Sequence, residues 1–377
     1  MATGWLWEEL YGWHDSRTWA DFLDYPRTAF IEPQPSDESP ATKRRFRSLV
    51  SVTGLEEKLT KLKARQATDD EILRVHTPEY LASLQARSAE AGGDAGGGAP
   101  FGRHGFEIAA LASGGCVVAA DAVLDRAVEN AYVLCRPPGH HAEPNQGNGF
   151  CLLSNIGITI RHLQQVRDVK RVAVVDWDVH HGNGTETIFL GDPDVLTISL
   201  HQDGLFPRGR GAVDVVGEGD ARGTNLNIPL PPGSGEGAYV YAFDRVVVPA
   251  LHAFQPELII VASGFDANAY DPLGRMCLSS ESYRKLTATL MVAANALCEG
   301  RLLLCHEGGY SSFYVPFCGL ATLEQLSGEA TDVDFGIVMS DGMEDIPLQD
   351  HERAAVERAA QNLLLLTAAR RTNGLSA

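Results

Sequence analysis

Five short apolar runs, rich in valine, isoleucine and leucine, recur along the chain and constrain its fold more than any other feature. None shows the polar–apolar alternation of a half-exposed strand, so each is typical of a parallel strand buried on both faces of a sheet. Stretches of helical character separate the runs. We therefore predict an α/β protein of three layers, with a central, mostly parallel sheet and helices on both faces. The predicted strands are Ala131–Cys135, Arg171–Asp176, Val195–Leu200, Glu257–Ser263 and Arg301–His306.

The rest of the chain is predicted to complete a single domain, 1–377. Its first 75 residues or so lack this alternation and form an irregular N-terminal segment, and a closing helix covers about 351–371. The glycine-rich stretch Ala89–Pro100 is predicted to be a mobile loop. The predicted helices between the strands are Phe106–Ala127, Ile156–Gln165, a short helix after Gly184, Glu236–Phe254 and Ser280–Glu299.

Each predicted strand ends in a polar, glycine-rich segment. Parallel strands place their carboxyl ends at one edge of the sheet, and ligands bind in the crevice there. Segments far apart in sequence are therefore expected to form one site. They read RPPGHH from Arg136, DWDVHHGNG from Asp176, HQDGLFPRG from His201, GFDANAYDPLG from Gly264 and EGGYSS from Glu307.

The second of these segments predicts a metal site. Asp178 and His180 are two residues apart, so on an extended strand end their side chains point the same way. Asp266 offers a third ligand from another strand end. One imidazole and two carboxylates with an open position are typical of catalytic zinc. A single Asp-x-His pair is more often a capped turn, but the convergence of several loops favours the metal.

Two histidines and a tyrosine could supply the rest of an active site. His140 and His141 follow a rigid Pro-Pro-Gly turn, and a neutral imidazole can accept and return a proton. Asp176 and Asn183 are candidates to orient these imidazoles. Tyr310 follows two glycines and could donate to an oxyanion, although a tyrosine packed at a strand end is equally compatible with the sequence.

Together these segments resemble the histone deacetylase superfamily, whose members are zinc-dependent acyl-lysine and acylpolyamine amidohydrolases with an arginase-like fold. The motifs stand in the family's order and spacing, and the resemblance extends from about Arg74 to Tyr310. Asn183 in HHGNG resembles the class II branch. The resemblance implies zinc ligands Asp178, His180 and Asp266, a general base and acid His141, an electrostatic partner His140 paired with Asp176, and an oxyanion donor Tyr310.

The resemblance also implies a tunnel and a second cation. Phe150 and Phe206 would form the tunnel walls around an acyl-lysine stem, with Gly149 and Gly309 lining it. Leu273 would overlook the mouth, where acetylpolyamine-selective relatives carry glutamate. Backbone carbonyls would hold potassium at Asp176, Asp178, His180, Ser199 and Leu200.

Three alternatives stay open. An arginase-like enzyme with two manganese ions needs an acidic residue where this chain has Asn268. An acetylpolyamine amidohydrolase would share the whole site. A non-catalytic acyl-lysine binder would lack part of it, and no implied residue is missing.

Composition restricts the partners. A net charge of −18 repels phosphate, so direct binding to nucleic acid or an anionic membrane is not expected. Seven cysteines without a CxxC pair predict reduced thiols in the cytoplasm. No signal peptide or apolar run of membrane-spanning length is expected. The expected partners are acetylated lysine side chains or other acylated amines, with a possible homo-oligomer.

Overall fold

The computed structural model of the protein describes residues 2–19, 32, 34–333 and 346–372. Its centre is an eight-stranded sheet with every neighbouring pair parallel, in the order β2-β1-β5-β10-β9-β6-β7-β8. The strands of this sheet are β1 (Thr3–Leu6), β2 (Thr60–Lys61), β5 (Asn130–Val133), β6 (Val172–Asp176), β7 (Val195–Gln202), β8 (Asn225–Leu230), β9 (Leu258–Ser263) and β10 (Leu302–His306). A separate two-stranded ladder joins β3 (Gly93–Asp94) to β4 (Pro100–Phe101).

Helices cover both faces of the sheet. They are α1 (Pro40–Val52), α2 (Asp69–Leu73), α3 (Pro78–Ala89), α4 (Gly105–Leu124), α5 (Asn155–Val166), α6 (Asn183–Phe189), α7 (Glu236–Ala242), α8 (Val248–Phe254), α9 (Ser280–Cys298), α10 (Val315–Ser327), α11 (Asp350–Ala360) and α12 (Leu363–Thr372). One core cluster packs α4 and α5 against the sheet, and a larger one packs α1 and α7 to α10 against its other face. The predicted three-layer α/β fold is confirmed.

The five predicted strands form the middle of the sheet, whereas the two edge strands, β2 and β8, and the strand next to one edge, β1, were not predicted. β1 and β2 come from the N-terminal segment that was predicted to be irregular, and β1 pairs with β5. The same segment contains α1, whose Phe46 and Val50 are fully buried. The N-terminal residues therefore extend the sheet and cover one of its faces.

Two predicted helices are interrupted. The predicted helix over 236–254 consists of α7, a five-residue π-helical turn (Phe243–Val247) and α8, and Pro249 at the junction has no amide hydrogen to donate. The predicted C-terminal helix over 351–371 is two helices, α11 and α12. Asn362 lies between them and donates from Nδ2 to the carbonyl of Val213 at 2.7 Å. The break lets Leu366 turn into the core, where it is fully buried.

The composition-based expectations have mixed outcomes. All seven cysteines are free thiols. Contrary to the expectation, one helix within the described residues, α4, is long and apolar enough to cross a membrane by length and composition. Because 67% of its most apolar window is buried inside the protein, α4 has the character of a core helix.

Candidate active site

The side chains of Asp178, His180 and Asp266 meet just beyond the carboxyl ends of β6 and β9, which are neighbours in the sheet. His180 Nδ1 lies 3.1 Å from Asp178 Oδ1 and 3.0 Å from Asp266 Oδ2. All three residues are buried, and their ligand atoms lie within 4.8 Å of one another. The structure therefore brings together the three residues predicted to bind metal.

Backbone amides and two glycines hold these carboxylates in place. Gly308 N–H donates to Asp178 Oδ2 at 2.8 Å, and Val179 N–H donates to Asp266 Oδ1 at 2.7 Å. A Cβ at Gly308 would lie 2.2 Å from Asp266 Oδ2, and one at Gly264 would lie 2.1 Å from Asp178 Oδ2. Only glycine allows the backbone to approach the carboxylates this closely.

The charges of this cluster fit a divalent cation. Burial, with the charge of Asp178, raises the pKa of Asp266 to about 7. Burial disfavours the charged form of His180, but Asp266 and Asp178 outweigh it and raise its pKa to about 10. Two buried carboxylates thus share one imidazole, which is a costly arrangement without further positive charge. One nitrogen and two carboxylate oxygens match the ligand types of zinc.

His140 and His141 lie beside the cluster, each with its own orienting partner. His140 Nδ1 is 2.9 Å from Asp176 Oδ2, and His141 Nδ1 is 2.7 Å from Asn183 Oδ1. The two rings are 3.9 Å apart between centroids. The structure therefore pairs the histidines with the two residues predicted to orient them.

The surroundings shift the pKa values of His140 and His141 in opposite directions. Burial disfavours a charged His140, but Asp178 and Asp176 raise its pKa well above the usual value. Burial, together with the charges of His140 and His180, lowers the pKa of His141 well below the usual value. Asp178 and Asp176 therefore favour a protonated His140, whereas the surroundings of His141 favour the neutral imidazole, which can accept a proton.

Tyr310 approaches the cluster from the segment after β10. Its backbone N–H donates to Asp271 Oδ2 at 2.8 Å, and Gly309 before it has a φ of +123° that favours glycine. Its ring centroid is 6.3 Å from that of His180 and 5.8 Å from that of Phe150. Burial and the nearby carboxylates raise the pKa of Tyr310 well above the usual value, so its hydroxyl stays protonated and able to donate.

A cavity of about 210 Å³ reaches these groups. It is lined by Trp19, His141, Gly149, Phe150, His180, Leu205, Phe206, Leu273 and Tyr310. The predicted wall and rim residues Gly149, Phe150, Phe206 and Leu273 are among them. Gly309, predicted to line the tunnel, is not; it turns the backbone so that Tyr310 faces inward.

The glycine-rich stretch predicted to be mobile supports one wall of this cavity. Its Gly97 and Gly98 carbonyls accept hydrogen bonds from the amides of Gly149 and Phe150 at 3.1 and 2.9 Å. Phe150 has a φ of +68°, which a bulky residue adopts only when its surroundings impose it. The stretch therefore helps to hold the Phe150 ring in position.

Comparison with known proteins shows the family of the chain. A family model described as the histone deacetylase domain matches residues 37–326. A histone deacetylase-like amidohydrolase of Pseudomonas aeruginosa is 50% identical over 329 residues, which are 86% of each chain. The chain belongs to the histone deacetylase family. A probable deacetylase of Archaeoglobus fulgidus is 38% identical over 72% of this chain and 75% of that protein. The crystal structure of the HDA15 HD domain superposes with a TM-score of 0.83 and 29% identity over the whole of both chains.

Two lining residues of this histone deacetylase-family cavity were missed by sequence reasoning. Trp19 reaches it from the N-terminal segment, with its ring centroid 6.4 Å from that of Phe150. Leu205 lies next to Phe206 in the segment after β7. No local pattern marks Trp19, whereas Leu205 belongs to a loop already predicted to reach the crevice.

Buried charges near the catalytic groups were also missed. Lys43 Nζ lies 5.7 Å from the Tyr310 ring centroid and 3.4 Å from a carboxylate oxygen of Glu38, and Arg136 Nε donates to the same oxygen at 2.9 Å. Glu307, the first residue of EGGY, accepts from the amide of His140 at 3.0 Å. The strand-end positions of Arg136 and Glu307 were the available signals, since Lys43 and Glu38 lie outside every predicted motif.

Asn268 argues against a second metal ion at this site. Its Nδ2 donates to the carbonyl of Phe265, and its Oδ1 accepts from the amide of Tyr270 at 2.8 Å. Both ends of the side chain therefore stabilise a local turn. A neutral amide used in this way does not replace the carboxylate that a binuclear manganese centre requires.

Proposed function

We propose that this protein is a zinc-dependent amidohydrolase that removes acyl groups from acyl-lysine side chains or similar acylated amines. The observation that carries the proposal is the cavity that ends at His180, His141 and Tyr310, with Asp178 and Asp266 beneath. The relatives named as deacetylases and amidohydrolases support the same reaction class. A complete catalytic set favours an enzyme over a non-catalytic binder.

Each group of the site has a separate role in the proposed amide hydrolysis. Zinc, when bound by Asp178, His180 and Asp266, would supply Lewis-acid chemistry for the carbonyl and water. The neutral His141 takes a proton from the attacking water and later returns it to the leaving amine. The Tyr310 hydroxyl donates a hydrogen bond to the oxygen that becomes negatively charged. His140 is held by Asp176, whose carboxylate favours the protonated ring, and a positive charge there would lie beside His141.

The activity can be tested on purified, zinc-loaded protein with a panel of acetylated peptides, acetylpolyamines and longer acyl-lysines. We expect release of the free amine from at least the acetyl-lysine peptides. Absence of hydrolysis throughout the panel, in protein shown to contain zinc, would leave only the binding alternative. Preference for acetylpolyamines would select the other enzymatic alternative.

The class II-like asparagine leads to a prediction about pH. Asn183 accepts a hydrogen bond from His141 but carries no charge, whereas a carboxylate stabilises an imidazolium. Asn183→Asp should therefore raise the pKa of His141. Because the base must be neutral, the acidic limb of kcat/KM should move to higher pH. A profile of kcat/KM against pH checks this, and an unchanged or lowered limb would contradict it.

The rim of the cavity leads to a prediction about substrate choice. The lining includes the apolar side chains of Trp19, Leu205 and Leu273, and no carboxylate is among the described residues that line the cavity. Neutral acyl amides and acyl-lysine peptides should therefore be preferred over acetylpolyamines. Leu273→Glu should shift the kcat/KM ratio toward an acetylspermidine-like substrate by about 1–2 kcal/mol. Leu273→Gln is the matched uncharged control, and a tenfold preference for acetylpolyamines in the unsubstituted protein would overturn the inference.

We also propose potassium beside the zinc site, held by carbonyls at Asp176, Asp178, His180, Ser199 and Leu200. Two observations support it. Asp176 and Ser199 lie opposite each other in the register of β6 and β7, and both border a small internal void. Potassium should raise the thermal unfolding temperature of the protein above that in an equal concentration of tetramethylammonium.

The location and the partners of the protein stay predictions. They are a cytoplasmic location, no binding to nucleic acid or membranes, and a possible homo-oligomer.

A further inference from the structure

The side chain of Asn183 has two different ends, and its neighbours decide which end faces His141. Its Oδ1 is 2.7 Å from His141 Nδ1, and its Nδ2 donates to Glu143 Oε1 at 2.8 Å and to the His141 carbonyl at 3.4 Å. Reversing the amide would place its carbonyl oxygen against a carboxylate oxygen, where neither can donate. Glu143 is thus the closest group that distinguishes the two orientations.

Glu143 is itself held firmly. Its Oε1 also accepts from Arg210 Nη2 at 3.2 Å, and its Oε2 accepts from Gln146 Nε2 at 3.2 Å. The backbone is fixed as well, because its N–H donates to the Gln146 carbonyl at 2.9 Å and its carbonyl lies 3.1 Å from His76 Nδ1. The side chain is 18% exposed. Its carboxylate therefore stands in position before any substrate binds.

We propose that Glu143 is a positioning residue that selects the proton position on His141 by fixing the orientation of the Asn183 amide. With Oδ1 of Asn183 facing His141, the imidazole must carry its hydrogen on Nδ1. Its Nε2 is then free to accept a proton on the cavity side. A reversed amide would donate to Nδ1 and move the hydrogen to Nε2, where it blocks the base. The proposal rests on the proposed function for its catalytic meaning.

A double-mutant cycle tests this role in kinetics. Glu143→Ala should lower kcat by about tenfold, as expected for a lost charged hydrogen bond, and change KM by less than about twofold. In an Asn183→Asp background the same change should cause no loss, because aspartate presents an acceptor to His141 in either orientation and Glu143 repels it. Glu143→Gln should lose less than Glu143→Ala, because its amide oxygen still accepts from Asn183.

Glu236 offers a matched control. It is another glutamate with a largely buried side chain, 13% exposed, that pairs with a basic residue, Lys285, and accepts from Ser282 Oγ at 3.0 Å. Glu236→Ala removes comparable contacts outside the active site and should leave kcat and KM at their starting values. An equal loss from Glu143→Ala in both Asn183 backgrounds would show a merely structural role and overturn the proposal. A loss in kcat below twofold for Glu143→Ala in the protein that keeps Asn183 would also overturn the proposal.

The proton position can also be read without turnover. In zinc-loaded protein labelled with ¹⁵N-histidine, the imidazole shifts of His141, assigned with His141→Gln, report which nitrogen carries the hydrogen. We expect hydrogen on Nδ1 in the unsubstituted protein and a shift toward Nε2 in Glu143→Ala. Hydrogen on Nδ1 in both proteins would overturn the proposal even if no acyl amide were hydrolysed. Failure of hydrolysis with the expected shifts would overturn the proposed function alone.

Discussion

Asp266→Asn and Asp178→Asn are each expected to abolish turnover by removing zinc. Asparagine has the size of aspartate and keeps one side-chain oxygen. That oxygen can still accept a hydrogen bond from the backbone amide of Val179 at position 266 or of Gly308 at position 178. The substitution removes one of only two negative charges that would neutralise the cation, and a carboxylate is the stronger zinc ligand. We therefore expect both variants to lose zinc while they remain folded.

Metal analysis of the purified variants and their thermal unfolding separate these two effects. Both variants should contain far less zinc than the unsubstituted protein while retaining a cooperative unfolding transition. Asp121→Asn is a suitable control, since Asp121 is a partly buried carboxylate in an ion pair with Arg167 on the surface of α4. It should leave zinc content and turnover in place. Full activity in a protein shown to contain no metal would end the proposed mechanism.

Tyr310→Phe is expected to lower kcat by about 10²–10³, the usual cost of removing one oxyanion donor. The ring contacts with Phe150 and His180 are those of the phenyl group and persist in phenylalanine. The backbone hydrogen bond from residue 310 to Asp271 also persists. Zinc content and thermal stability should therefore change little, and the loss should be confined to kcat.

Tyr239→Phe provides the matched control. Tyr239 is fully buried, and its hydroxyl has no hydrogen-bond partner among the described residues, so its removal should leave kcat unchanged. A loss below twofold in Tyr310→Phe would show that this hydroxyl does not face the reacting carbonyl. Tyr310 would then have the packing role that the sequence left equally open.

The central strands and the loops after them could be predicted because both follow from local pattern. A strand buried on both faces is continuously apolar, as in β6 and β9, and its carboxyl end must lie beside those of its parallel neighbours. The edge strands escaped this logic. β8 reads NLNIPL, and its polar residues Asn225 and Asn227 point at the buried carboxylate of Glu186 rather than at water. Their burial depends on a partner that no local pattern reveals.

The supporting residues of the site were harder to predict than the reacting ones. Lys43 lies on the inward face of α1 and is fully buried, which breaks the apolar pattern by which a core face is recognised. Its burial makes sense only beside Glu38. Trp19 reaches the cavity from an isolated position with no motif around it. In each case the three-dimensional neighbour, not the sequence neighbour, explains the residue.

The carboxylate of Asp271 joins the rim of the cavity to its catalytic phenol. One of its oxygens accepts from the amide of Leu273 at 2.9 Å and the other from the amide of Tyr310 at 2.8 Å. In laboratory evolution of new substrate ranges, this link through Asp271 distinguishes changes that leave Tyr310 in place from changes that move it. Replacing the side chain of Leu273 leaves in place both hydrogen bonds from backbone amides to Asp271. A proline at 273 would remove the first of these amide donors and an insertion would shift it. We therefore expect either change to disturb the position of Tyr310 and to lower the rate even where it widens the substrate range. Trp19 and Leu205 lie outside this link, so libraries built there can be wider.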